Sequence, residues 1–196
     1  MPEGTAAIVL AAGLSRRFGA NKLLSDWHGR PLVAHAVDAA CAAPVDEVIV
    51  VTGHEADRVR PAVLAHAPRP VRIVQAPDYA DGMALSLRAG IAALAPDVRA
   101  VVVFLGDMPD VPHDMAAKAL KAVLAGVPAA APVLQGRRGH PVAFHAALFP
   151  ILRALSGDEG AKSVLADLGE AWVRMPCDDP GILFDVDHPR SDRHTS

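Results

Sequence analysis

The chain has 196 residues, with 19 lysines and arginines against 22 aspartates and glutamates and a formal net charge of −3 at pH 7. This balance excludes the broad basic surface that general nucleic-acid binding needs, and no apolar run approaches the roughly 20 residues that span a bilayer. The first residues lack the basic and apolar regions of a secretory signal, so we expect a cytoplasmic protein. The two cysteines, Cys41 and Cys177, are too few for a disulfide framework or a zinc site.

Short apolar runs alternate with amphipathic stretches along the chain. The runs are typical of buried strands, and the stretches carry apolar residues at helical spacing. Pro61 should break or delay the second helix, and residues 136–139 predict a tight turn. The predicted strands are 6–12, 47–52, 71–75, 100–105, 129–134, 142–144 and 171–175, and the predicted helices are 31–43, 55–67, 80–94, 113–125, 146–154 and 159–168.

Strands that are buried on both faces and separated by helices predict a mainly parallel sheet with right-handed crossovers. The most apolar strand, 100–105, should lie at its centre, and the change of rhythm after residue 128 indicates an antiparallel excursion. We therefore expect an α/β fold, a three-layer α/β/α Rossmann-like sandwich. The sequence shows no internal repeat or linker, so residues 1–196 are expected to form one domain, of which 190–196 is a frayed tail.

The first predicted strand ends in a loop that combines glycine, serine and positive charge. Gly13 and Gly19 permit backbone angles that turn successive N–H groups toward an anion, and Arg16, Arg17 and Lys22 add cations that can hold phosphate. Open α/β folds bind ligands where a buried strand delivers its carboxyl end into such a loop. The loop therefore predicts a polyphosphate cradle, although neither of the two commonest phosphate-loop motifs is present. The alternative is an ordinary strand-to-helix turn with solvated basic residues.

Three aspartates are candidates for holding a divalent cation. Asp107 directly follows the 100–105 strand, so its carboxylate should emerge at the same sheet edge as the first loop. Beside a triphosphate it would be repelled unless a cation lay between them, and Mg²⁺ prefers one or two carboxylates together with phosphate oxygens. Asp185 and Asp187 alternate with Val186, which places both carboxylates on one face of an extended segment. The alternatives are a turn or helix cap at the first aspartate and a hydrated acidic loop at the other two.

The glycine loop and the aspartates together resemble a known family. The pattern L-A-A-G-x-S-x-R-x-G-x-x-K, an aspartate followed by x-Pro at 107–109, and the ending D-x-D-x-P at 185–189 are similar to those of the MobA-like nucleotidyltransferases, which are related to the molybdenum cofactor enzymes. The resemblance implies a fold of the nucleotide-diphospho-sugar transferase type and a loop that wraps the triphosphate of an NTP, with Arg17 and Lys22 as neutralising, catalytic residues. It also implies Mg²⁺ held by Asp107 and Asp185, with Asp187 as the other candidate for the second ligand. The implied nucleotide-binding residues of this loop are Leu10, Ala11, Ala12, Gly13, Ser15, Arg16, Gly19 and Lys22.

Further segments resemble the molybdenum cofactor branch more narrowly. Residues 77–87 match P-x-x-x-x-G-M-x-x-S-L, which implies that Gly82 and Ser86 border the nucleotide. The apolar side chains of that segment, among them Met83 and Leu87, are interpreted as core packing. Residues 136–141 and 157–161 match G-x-x-G-H-P and G-D-x-G-A, which line the acceptor pocket in that branch. The implied acceptor-binding residues are Arg137, Arg138, Gly139, His140 and Asp187.

The resemblance implies transfer of CMP from CTP to the phosphate of molybdopterin, a phosphorylated pterin, with release of pyrophosphate. Ala12, where the guanylyl branch has glycine, points to CTP, and a molybdoenzyme or its maturation chaperone would receive the product. Gly106 and Met108 depart from the usual Ala and Gln of the cytidylyltransferase branch. The alternatives are another NTP or another phosphorylated acceptor, a non-catalytic cofactor-binding or maturation protein of the same fold, and a redox protein descended from it.

Overall fold

The computed structural model describes residues 4–14, 20–157 and 160–187. Within them, ten strands form one large sheet and a separate two-stranded ribbon. The strands are β1 (Thr5–Ala11), β2 (Asp26–Trp27), β3 (Arg30–Pro31), β4 (Glu47–Thr52), β5 (Arg72–Gln75), β6 (Ala100–Leu105), β7 (Ala129–Leu134), β8 (Arg137–Arg138), β9 (Val142–His145) and β10 (Val173–Pro176). The ribbon consists of β2 and β3, and the other eight strands make up the sheet.

The large sheet has the order β10-β7-β9-β6-β1-β4-β5, with β8 paired to β7. Strand β1 pairs in parallel with both β4 and β6, so Ile8 lies opposite Ile49 on one side and Val103 on the other. Strand β9 runs antiparallel to β6 and β7, which confirms the predicted excursion after residue 128. The most apolar strand, β6, lies in the middle of the seven-strand order, as its composition predicts.

Helices cover both faces of this sheet. Those found in the described ranges are α1 (Leu32–Ala42), α2 (Ala56–His66), α3 (Met83–Ala92), α4 (His113–Leu124), α5 (Phe149–Arg153) and α6 (Lys162–Asp167). On one face α1, α2 and α4 bury apolar side chains such as Leu120 with Val9 of β1. On the other, α3, α5 and α6 bury Leu152 and its neighbours with Ile8. The strand side chains alternate between the two cores, and this confirms the three-layer α/β/α sandwich. None of the described helices is long and apolar enough to cross a membrane.

Helix α2 runs without interruption through Pro61, so the predicted break or late start is wrong. A proline lacks the N–H that would bond to the carbonyl four residues earlier, here that of Asp57. Both residues lie on the exposed side of the helix, where solvent can satisfy that carbonyl. The opposite side is fixed in the core by Val59 and Val63, and this packing keeps the helix intact.

Two other local predictions need correction. The turn predicted at 136–139 is confined to Gln135 and Gly136, which both have positive φ, and the next two residues form β8 against β7. The helix predicted from residue 80 begins at Met83, after a 3₁₀ turn over Tyr79–Asp81. Gly82 separates the two with a φ of 130°, a conformation that glycine adopts without strain. The predicted helix start at 159 and the tail at 190–196 lie outside the described residues.

The segment 177–187, called here the C-terminal strap, runs back over the carboxyl ends of the central strands. Its Ile182 carbonyl accepts a hydrogen bond from the His140 N–H (2.9 Å), and its Val186 N–H donates to the Asp107 carbonyl (3.0 Å). The Val186 side chain is buried against Trp27 and Leu32. These contacts hold the strap over the loop that follows β6.

Candidate active site

The carboxyl ends of β1, β4 and β6 meet at one edge of the sheet because the three strands are parallel neighbours. The Gly106 N–H, just after β6, donates to the Leu10 carbonyl at 2.9 Å, and the His54 N–H, just after β4, donates to the Ala12 carbonyl at 3.4 Å. The loops that carry the predicted phosphate and metal ligands are therefore held side by side, in the position where open α/β sheets bind ligands.

Lys22 lies between this edge and the C-terminal strap. Its Nζ is 2.7 Å from Asp107 Oδ2 and 3.5 Å from Asp187 Oδ1. The Lys22 backbone is fixed because Asn21 Oδ1 accepts the Leu23 N–H (3.2 Å) and Leu23 is buried. Burial by itself lowers the pKa of Lys22, but the charges and hydrogen bonds of Asp107 and Asp187 together raise it. Lys22 is therefore a firmly charged ammonium at neutral pH.

Asp185 of the C-terminal strap adds a third carboxylate to those of Asp107 and Asp187. Asp185 is exposed over much of its surface, but its pKa is raised, first by partial desolvation and then by the negative charges of Asp187 and Asp107; Lys22 only partly offsets these effects. Val186 is buried between the two strap aspartates, whose side chains lie toward solvent, so the predicted alternation is confirmed. Among the described residues of this group, one ammonium thus faces three carboxylates, and their summed charge is negative.

A cavity of about 500 Å³ opens beside Lys22 and Asp107. Of the predicted nucleotide-binding residues, those that line it are Leu10, Ala12, Gly13, Lys22, Gly82 and Ser86. Ala11 is not among them, because its side chain points into the core with Val9, and its predicted contact with the nucleotide is therefore not supported. Ser15, Arg16, Arg17 and Gly19 lie outside the described residues.

Sequence reasoning missed several residues that line this cavity. Met83 was interpreted as core packing, but its side chain is 47% exposed and lines the cavity; Leu87, by contrast, is buried as predicted. The Tyr79 ring closes against Gly53, where an added Cβ would come within about 2.5 Å of the ring. The available signal was the position of Gly53 directly after β4, since a strand end without a side chain accommodates a close neighbour. The missed residues are Leu14, Leu23, Tyr79, Ala80, Asp81, Met83 and Leu105.

A second, smaller cavity of about 50 Å³ shares Leu10, Met83 and Leu105 with the first. Two of the predicted acceptor-binding residues, Arg138 and His140, line it. Burial lowers the pKa of Arg138, and burial together with the Arg138 charge lowers the pKa of His140 to about 3. The His140 imidazole is therefore neutral at physiological pH. Its buried Nδ1 has no hydrogen-bond partner among the described residues.

The other predicted acceptor-binding residues lie elsewhere. Gly139 is buried under the strap, where a Cβ would collide with the Ile182 carbonyl, so this glycine is required for close packing and does not line the small cavity. Asp187 pairs with Lys22, and the Arg137 side chain is exposed on β8. The lining includes one cation that sequence reasoning did not select, Lys162 at the start of α6.

The sequence profile of the MobA-like NTP transferase domain matches residues 7–181. The chain belongs to this family. The assignment agrees with the resemblance in the glycine loop and the aspartates. Among curated relatives of this family member, nicotine blue oxidoreductase from Paenarthrobacter nicotinovorans is 34% identical over 92% of this chain and 90% of its own. The purine catabolism protein PucB from Bacillus subtilis is 30% identical over 93% of this chain and 91% of its own.

Solved structures with the same architecture include proteins of the transferase type. Rv0371c from Mycobacterium tuberculosis H37Rv superposes with a TM-score of 0.82 at 26% identity, covering 96% of this chain and 95% of its own; it has also been solved in complex with manganese. A nucleotidyl transferase from Methanothermobacter gives a TM-score of 0.80 at 25% identity, covering 95% of this chain and 93% of its own. This member of the MobA-like family therefore has the nucleotide-diphospho-sugar transferase fold.

The carboxylates fit the divalent cation that the family resemblance implies. The negative charges of Asp187 and Asp107 help to raise the pKa of Asp185, which is the electrostatic condition that a bound cation relieves. Within the described ranges, no group of three or more His, Cys, Asp or Glu side chains is arranged as a complete metal site. Two carboxylates completed by phosphate oxygens and water are the ligand set that Mg²⁺ prefers.

Proposed function

We propose that this chain is a nucleotidyltransferase that moves a nucleoside monophosphate from an NTP to a phosphate on a small acceptor, within one domain. The observation that carries the proposal is the convergence of Lys22 with Asp107 and Asp187 at the mouth of a cavity of about 500 Å³. This arrangement offers a cation to phosphate oxygens and carboxylates to a metal ion at one place.

The roles proposed for Lys22 and the aspartates follow from this placement, and the role proposed for Arg17 follows from the family resemblance. An acceptor phosphate oxygen attacks the α-phosphorus of the NTP, and the bond from that phosphorus to the bridging oxygen breaks, releasing pyrophosphate. The acceptor is already anionic at neutral pH, so alignment and charge neutralisation are sufficient and no general base is needed. Lys22 and Arg17 hold the leaving pyrophosphate. Asp107 and a strap aspartate, Asp185 or Asp187, hold Mg²⁺, which when bound neutralises the charge that develops on the phosphates.

We further propose CTP as the nucleotide and molybdopterin as the acceptor. Ala12 in the L-A-A-G sequence and its position in the cavity lining support CTP. Arg138 and the neutral His140 provide one cation and one uncharged polar group in the adjoining cavity, which suit the phosphate and the polar ring edge of such an acceptor. The product would pass to a molybdoenzyme or its maturation chaperone.

The test is pyrophosphate release from CTP, GTP, ATP and UTP in turn, with Mg²⁺, with and without molybdopterin. We expect release from CTP only when the pterin is present. Release from another nucleotide would support nucleotidyl transfer but contradict CTP as the nucleotide. A complete absence of release would contradict molybdopterin as the acceptor and favour another acceptor or a carrier role.

Asp107→Asn makes this test specific to the proposed site. The variant should lose turnover by roughly 10²–10³-fold, as when one strong electrostatic contact to a transition state is removed. Asp114→Asn is the matched control, because it removes an exposed carboxylate that pairs with Lys118 on α4. A near-normal rate in Asp107→Asn would contradict the metal-binding role.

One comparison favours a second candidate function. Nicotine blue oxidoreductase is 34% identical over almost the whole length of both chains, so a redox activity on a small heterocycle is the rival proposal. The sequence has no G-x-G-x-x-G dinucleotide fingerprint. Oxidation of NADPH by the purified protein in the presence of a heterocyclic dye, without pyrophosphate release from any NTP, would favour the redox function over the transferase.

A further inference from the structure

The Lys22 ammonium faces two different sites at once. On one side it contacts the carboxylates of Asp107 and Asp187, at 2.7 and 3.5 Å. On the other it lines the large cavity together with Gly13 and Gly82, where the proposed function places the nucleotide. A single ammonium cannot fully neutralise carboxylates and triphosphate oxygens together, so the two groups compete for it.

The backbone of Lys22 is anchored while its side chain is able to move. The Lys22 carbonyl accepts hydrogen bonds from the Ser25 hydroxyl (2.6 Å) and the Ser25 N–H (3.1 Å), and the buried Leu23 side chain fixes the next position. The lysine stem has four rotatable carbons. The Nζ atom can therefore leave the carboxylates and reach into the adjoining cavity without movement of the main chain.

The carboxylates need a counter-ion whether the Lys22 ammonium contacts them or lies in the cavity. Asp185, Asp187 and Asp107 act on one another through like-charge repulsion, and Lys22 is the cation that opposes it in the described structure. When the ammonium moves away, the negative charge of the group increases, and so does its affinity for a divalent cation.

We propose that Lys22 is an exchangeable counter-ion, which occupies the carboxylates when no nucleotide is bound and releases them to a divalent cation when it moves to the triphosphate. The inference rests on the proposed function. Lys22 then contacts the triphosphate and also couples the binding of two ligands. Free divalent metal binds weakly because it competes with the ammonium, and polyphosphate in the cavity strengthens metal binding by drawing the ammonium away. Thermodynamic linkage requires that the metal strengthen polyphosphate binding in return.

The decisive experiment compares Mn²⁺ binding and tripolyphosphate binding in the wild type and in Lys22→Met. Mn²⁺ binding to the nucleotide-free protein is followed by the loss of the free-ion EPR signal, and tripolyphosphate binding is followed by calorimetry in EDTA. We expect Lys22→Met to bind Mn²⁺ more tightly, by roughly five- to fifty-fold within the usual range for coupled sites, and to bind tripolyphosphate more weakly. These opposite changes are not produced by general loss of structure.

Three further variants serve as controls. Lys118→Met removes a lysine of a surface pair with Asp114 and should change neither affinity, and Lys22→Arg keeps a cation in place and should bind Mn²⁺ like the wild type. Lys22→Gln replaces Lys22→Met in the comparison if the methionine variant folds poorly. Mn²⁺ affinity that stays unchanged or falls in both neutral variants would overturn the inference.

The outcome is separable from that of the proposed function. Pyrophosphate release without the opposite changes in Mn²⁺ and tripolyphosphate affinity would leave the transferase standing and remove the counter-ion role. Opposite changes without pyrophosphate release would establish the exchange as a binding property and contradict transfer to the acceptor tested.

Discussion

The main-chain N–H of Val186 donates a hydrogen bond of 3.0 Å to the main-chain carbonyl of Asp107. This bond joins two residues that are 79 positions apart and ties the strap to the loop after the central strand. Because Asp185 and Asp187 flank Val186, the bond fixes the positions of both strap carboxylates relative to Asp107. The carboxylates are therefore assembled by the strap, and the integrity of the strap should control activity.

Val186→Ala should weaken the strap and reduce activity. The side chain is 5% exposed and packs with Trp27 and Leu32, so its truncation should lower the free energy of unfolding by about 1–3 kcal/mol. The strap aspartates then lose their fixed position, and kcat/KM should fall roughly 10-fold or more, since small misplacements at a reacting centre are costly. Urea unfolding and pyrophosphate release are the measurements.

The matched control is Val123→Ala, the same truncation of a fully buried valine near the end of α4. Its stability loss should be similar, but its kcat/KM should stay near that of the wild type because Val123 packs in the core away from the strap. Equal losses of kcat/KM in the two variants would show that the strap contributes no more than general stability.

Arg138→Gln should weaken acceptor binding specifically. Arg138 lines the small cavity, whereas its neighbour Arg137 on the same short strand is exposed and does not. Loss of a charge-assisted hydrogen bond is worth about 1.5–3 kcal/mol, which corresponds to a rise of roughly 10- to 100-fold in the KM of the acceptor. The KM of the nucleotide should change little. Arg137→Gln is the control, and an equal effect in both variants would contradict the assignment of the small cavity to the acceptor.

The order of strands and helices was predictable because the signals for it are local. The apolar runs at 47–52, 100–105 and 129–134 coincide with β4, β6 and β7, since each is too apolar and too short for anything but a buried strand. The error at Pro61 arose because propensity took no account of which side of the helix faced solvent. The pattern of residues gave no indication that the turn after β7 continued into a two-residue strand, because β8 depends on pairing with β7.

The site was predictable in its chemistry but not in its geometry. Sequence order placed Asp107 at the same sheet edge as the loop that contains Lys22, and spacing put both strap aspartates on one face. The direct pairing of Lys22 with Asp107 was not predicted, because it depends on how the 3₁₀ turn at Lys22–Leu24 docks beside β6. Met83 was misjudged for a similar reason: α3 begins at that residue, so its side chain lies at the open end of the helix, in the cavity lining.

The titration of His140 should contribute to the pH dependence of the free energy of unfolding. Its pKa is lowered to about 3 in the folded protein by burial and by the Arg138 charge, against about 6.5 in an unfolded chain. Between these values the unfolded state binds a proton that the folded state does not. The stabilising contribution is therefore fully present above pH 6.5 and is lost as the pH falls toward 3.

Urea unfolding between pH 4 and 8 measures this effect. In the wild type the free energy of unfolding should fall as the pH drops below about 6.5. The slope of this free energy against pH should correspond to the uptake of up to one proton per molecule on unfolding. His140→Gln should remove this part of the slope, because glutamine does not titrate. His113→Gln, a change at an exposed histidine on α4, should leave the slope as in the wild type. An unchanged slope in His140→Gln would show that His140 binds its proton equally well in the folded and unfolded states, and so that the small cavity does not lower the pKa of the imidazole.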